Sequence, residues 1–77
     1  MLNKLAENMR MNILLETTIV IEELSGRLRK IEPDGKGAWN VYSRFMEKWS
    51  WSDLIGKSAV IQHINNAQQV YSVQSIK

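Results

Sequence analysis

Residues 38–51, AWNVYSRFMEKWSW, hold all three tryptophans, the single phenylalanine and one of the two tyrosines of a 77-residue chain. Aromatic side chains bury about 150–250 Å² each, so any core must form around this stretch. At helical spacing Ala38, Tyr42, Phe45 and Trp49 step by four, three and four residues, with Trp39 and Met46 beside them. Asn40, Ser43, Arg44, Glu47 and Lys48 fall on the opposite face. Strand alternation would put Trp39, Val41, Ser43, Phe45 and Glu47 on one side, mixing polar with apolar, and the spacing therefore favours an amphipathic helix. Trp39, Trp49 and Trp51 become its anchors, either in the core or against a partner.

Upstream, Asn3 can cap a helix starting at Lys4, after which Leu5, Met9, Ile13, Thr17, Val20, Leu24, Leu28 and Ile31 recur every three or four residues. The mean step of about 3.7 fits a straight helix better than a coiled coil. A second stripe, Leu14, Ile21 and Leu28, widens the apolar face beyond what one packing partner would cover, and so predicts a homodimer seam at those three residues. The positive charges Arg27, Arg29 and Lys30 suit a helix C-terminus, and Pro33 stops the helix.

Two features oppose this long helix. Gly26 would cost about 1 kcal/mol in its interior, and Thr17 to Ile21 is a run of five β-branched residues. In the competing arrangement, residues 17–23 and 27–32 pair across a Leu24-Ser25-Gly26 turn, and the stretch Glu32 to Lys36 makes a second turn. The periodic pattern covers more residues than the β-rich patch and decides for the helix.

Downstream, Ser50 and Asp53 have capping-box spacing, and Val60, Ile64, Ala67 and Tyr71 line one face of a last helix. A hairpin of Ser58 to Ile64 with Val70 to Ile76 is its competitor. The expected architecture is thus one all-α domain spanning residues 1–77, with a long N-terminal helix, a short aromatic helix and a C-terminal helix, completed by dimerisation. The alternative is α+β, an N-terminal helix followed by antiparallel hairpins.

Composition narrows function mainly by exclusion. There is no cysteine, one histidine and no clustering of ligand types, so no disulfide, metal site, cofactor or catalytic set is expected and an enzyme is disfavoured. Gly56-Lys57-Ser58 ends like a phosphate-binding loop, but the G-x-x-x-x-G-K-[ST] pattern requires glycine where Trp51 stands. Apolar runs reach only three residues, far below the roughly 20 that span a bilayer, which predicts a cytoplasmic protein with no membrane partner. Ten basic and eight acidic residues give a formal charge of +2, too small to name nucleic acid as a partner.

The segment SWSDLIGKSAVIQHINNAQQVY, with Val60, His63, Asn66 and Ala67 in a V-x-x-H-x-x-N-A run, resembles the helix-turn-helix end of quorum-sensing-type transcription activators. That resemblance covers about a quarter of the chain. It implies a DNA-binding regulator with a degenerate helix-turn-helix in residues 50–71, with Lys57, Gln62, His63 and Asn66 facing DNA. The segment departs from the pattern by lacking roughly two residues between Gly56 and Val60, and Lys57 is its only Lys or Arg from Asp53 to Ile76, where phosphate contacts call for several. The chain as a whole therefore reads first as a small protein-interaction module, a regulator, inhibitor or adaptor binding another protein through apolar and aromatic surface. DNA binding is the alternative.

Overall fold

A computed structural model describes residues 4–73. The order is α1 (Lys4–Glu16), β1 (Thr18–Glu22), β2 (Leu28–Pro33), β3 (Trp39–Phe45), β4 (Lys48–Ile55), α2 (Lys57–Asn66) and β5 (Gln69–Val73). The strands form one antiparallel-paired sheet in the order β4-β3-β2-β1-β5. The all-α expectation is thereby overturned, and the α+β alternative fits. Asn3, the expected cap of α1, lies outside the described residues, as do the side chains of Leu5 and Met9.

The long N-terminal helix ends at Glu16, where the β-branched run begins. Thr17 closes α1 by donating from Oγ1 to the Ile13 carbonyl at 3.2 Å. Thr18 to Glu22 then extend as β1, because two heavy atoms on Cβ crowd a helix but pack well on a pleated surface. The chain reverses between β1 and β2 through a turn in which the Gly26 amide donates to the Glu23 carbonyl at 2.8 Å. Gly26 has φ +90°, a left-handed conformation that glycine adopts without steric cost. The residue that weakened the helix is thus the one the hairpin requires.

Asp34 organises the next turn. Its carboxylate accepts the amides of Lys36 at 2.7 Å and Ala38 at 3.1 Å. Those two bonds, the Lys36 one foremost, hold the Asp34 carboxyl below the usual carboxylate range.

The aromatic stretch is a hairpin of β3 and β4, and the amphipathic helix expected there is absent. Phe45 pairs with Lys48, leaving Met46 and Glu47 as a two-residue loop with φ of +52° and +66°. Positive φ at both central residues is the type I′ arrangement, whose twist matches that of the flanking strands. Sequences favouring it carry Asn-Gly or Asp-Gly, and Met46-Glu47 has neither. Replacing the pair by Asn-Gly (Met46→Asn with Glu47→Gly) is therefore expected to stabilise the protein by about 1 kcal/mol, seen as a higher urea midpoint with an unchanged slope. A lower midpoint would contradict this turn geometry.

After β4 the chain must reach the far edge of the sheet, since β5 pairs with β1. Four strand spacings amount to about 19 Å. The ten residues of α2 supply about 15 Å, and its flanking residues the rest, with the Gln68 amide donating to the Glu22 carbonyl at 2.7 Å as β5 begins. The competing hairpin of Ser58 to Ile64 with Val70 to Ile76 is also corrected: its first arm is helical, and Ile76 lies outside the described residues.

One face of the sheet is covered. Ile19 and Ile21 of β1, Ile31 of β2, and Trp39 and Val41 of β3 point to the helices. They meet Leu14 of α1 and Val60 and Ile64 of α2. Among the described residues no buried side-chain nitrogen or oxygen lacks a hydrogen-bond partner.

Candidate functional site

The opposite face of the sheet carries no helix. Alternation along each strand sends Val20, Lys30, Tyr42, Trp51 and Tyr71 to this side, and the register aligns them into one row across all five strands, Tyr71–Val20–Lys30–Tyr42–Trp51. Arg44 and Trp49, a paired position one step along β3 and β4, extend the row toward the hairpin loop. Asn40 and Leu54 extend it the other way.

Three aromatic side chains and two cations converge at the β2–β4 side of this face. Lys30 Nζ lies 4.8 Å from the Tyr42 ring centre and 5.3 Å from that of Trp49, while the Arg44 guanidinium lies 5.8 Å from Trp49 on its own account. Such contacts hold a cation over the negative face of a ring without neutralising it. Neither Lys30 nor Arg44 forms an ion pair among the described residues. The pair that exists there, Arg29 Nε to Glu23 at 2.9 Å, has Arg29 on the helix side and also donating to Ser43 Oγ at 3.1 Å. Trp51 is 59% exposed and its Nε1 donates to Asn40 Oδ1 at 3.0 Å, which fixes the indole across the sheet edge. Tyr71 is half exposed at the opposite edge.

The three tryptophans proposed together as anchors divide. Trp39 is core, 9% exposed, with Nε1 donating to the Leu15 carbonyl at 3.4 Å. Trp49 and Trp51 belong to the open face. Tyr42, Lys30 and Tyr71 were expected on helices rather than in a binding face, although the Trp49-Ser50-Trp51-Ser52 alternation is a period-two signal that places both indoles on one side of a strand.

The expected dimer seam does not survive as a surface. Leu14 and Ile21 are buried in the chain's own core, and Leu28 points to the open face. The two stripes are spread over α1, β1 and β2, with Thr17 and Leu24 in the connections between them, so their common helical face does not exist.

The helix-turn-helix is corrected as well. Residues 50–55 are strand, 57–66 helix and 69–73 strand, so a single helix stands where two would be needed. Lys57, Gln62 and Asn66 are exposed on α2, while His63 is half-buried. Glu23, Gln62, His63 and Asn66 line an open groove of about 380 Å³, where the carboxylate opposes a phosphate backbone. Ser25 joins His63 and Glu23 around an adjoining hollow of about 260 Å³. The Ser25 hydroxyl accepts the Arg27 amide and Glu23 holds Arg29, so each is engaged elsewhere. Gly56 alone separates β4 from α2, leaving no loop to wrap a phosphate at Gly56-Lys57-Ser58. Among the described residues no three metal-binding side chains cluster, and no helix is long and apolar enough to cross a membrane. No protein-family model, curated protein or solved structure matches the chain.

Proposed function

We propose that this chain is a small non-enzymatic binding module that holds another protein against the open face of its sheet, as a regulator, inhibitor or adaptor would. The aligned row Tyr71–Val20–Lys30–Tyr42–Trp51, with Trp49 beside it, carries this reading. Tyrosine, tryptophan and arginine dominate binding hot spots because they offer large contact area and a polar handle at low entropic cost. Here they share one face with exposed Leu54 and Val73, an apolar surface that a chain acting alone would gain nothing by presenting. Action in the cytoplasm is part of the same proposal.

The test is retention of partners from the native cell by immobilised protein, comparing Trp51→Ala and Tyr71→Ala with Gln62→Ala and Asn66→Ala. All four positions are exposed, so each variant should fold. A partner held by the native chain should be lost with Trp51→Ala, with roughly tenfold or weaker affinity once measured, and kept by both α2 variants. Partners lost only with the α2 variants would move the working surface to the groove beside His63.

A further inference from the structure

Building on that reading, we infer that the partner offers this face a segment in which carboxylates alternate with apolar or aromatic side chains, the carboxylates seated between Lys30 and Arg44 over Trp49. Both cations rest on the same indole. Aromatic packing stiffens them and excludes water from one side, while leaving their charge uncompensated by any carboxylate within ion-pair distance among the described residues. An incoming carboxylate meets two positive donors already held in place, and the apolar residues beside it meet Tyr42, Trp51 and Leu54.

The charge pattern separates this occupant from two others. Glu22 and Glu32 share the open face with Lys30 and Arg44, so the face as a whole has no positive excess. A nucleic-acid strand, which needs a run of cations along its phosphates, would meet two carboxylates there. A local acidic segment needs only the part of the β2–β4 side toward the hairpin loop, where Lys30, Tyr42, Arg44, Trp49 and Trp51 lie, with Glu32 in the Asn40–Leu54 row on the other side of Lys30. A second copy stacked face to face about a two-fold axis through the middle strand would set Lys30 against its own counterpart, since β2 is central in the order β4-β3-β2-β1-β5. That arrangement brings like charges together in a closing interface.

Selection from a random dodecapeptide library on the immobilised full chain tests this directly, with Lys30→Glu, Arg44→Glu and Trp51→Ala as parallel baits and oligo-dT as a competing ligand. Selected peptides are expected to be rich in Asp and Glu interleaved with Leu, Phe or Trp. They should bind at least about tenfold more weakly to Lys30→Glu or Arg44→Glu and shift the tryptophan fluorescence of the native protein. Peptides that depend on Trp51 but carry no acidic preference would overturn the inference and leave the proposed function standing. No peptide dependent on Trp51 would overturn both. Tighter binding of oligo-dT with a steep salt dependence would replace the partner by a nucleic acid. A concentration-dependent dimer in sedimentation, abolished by Trp51→Ala, would replace it by a second copy.

Discussion

Trp39→Ala is expected to remove about 3–5 kcal/mol of stability, while Trp51→Ala, two strands' worth of sequence away, should remove less than about 1 kcal/mol. Trp39 closes the end of the core: it pairs with Pro33 on one side and Ile55 on the other, and its ring reaches the end of α1. Truncation leaves a void where helix and sheet meet and takes the indole donor away from the Leu15 carbonyl. For a domain of this size the total stability is on the order of 4–12 kcal/mol, so the loss is a large share of it. Trp51 stands on the edge strand with most of its surface in solvent, and deleting it frees one hydrogen bond to Asn40. Urea unfolding of the two variants measures the difference. Equal losses would mean that the open face is a second core, and would remove the ground for assigning it to binding.

Ile21→Glu is expected to leave the chain unfolded, whereas Leu28→Glu should fold with nearly native stability. The two residues were read from sequence as one dimer seam, and they now lie on opposite sides of the sheet. Ile21 is 1% exposed beneath the helices. A carboxylate there loses apolar packing and adds about 3–5 kcal/mol for a buried charge without compensation. The one cation beside it in register, Arg29, is already committed to Glu23 and Ser43. Leu28 starts β2 on the open face, where water can reach a new carboxylate. Circular dichroism of both variants decides. A folded Ile21→Glu monomer would restore the seam between copies.

Several local choices were legible in the sequence. The β-branched run from Thr17 to Ile21 and the Leu24-Ser25-Gly26 reversal described β1, its turn and β2 nearly to the residue, because steric preference at Cβ and the left-handed freedom of Gly26 act over a few neighbours. They were outweighed by a longer periodic pattern whose residues are divided among a helix, two strands and the connections between them, since steps of three or four arise by accident when apolar residues are frequent. The buried status of Val60 and Ile64 was equally readable, and α2 is helical as expected, though it starts only at Lys57, with Ser50 and Asp53 in β4 rather than in a capping box, and it ends at Asn66, leaving Tyr71 to a strand.

What the sequence by itself determined, then, are the reversals at residues 24–26 and 32–36, though not the one at Met46-Glu47, and the identity of its aromatic groups. Only the tertiary structure decided how those groups are shared between the two faces of the sheet. In a half-covered sheet, aromatic residues on alternate positions can serve core and open face at once, so residues 38–51 look mixed when scored for a single buried side. The row across five strands joins Tyr71 to Val20 through backbone pairing between segments distant in sequence. No local rule encodes that register, because it depends on α2 having the length to carry β5 across the sheet to β1.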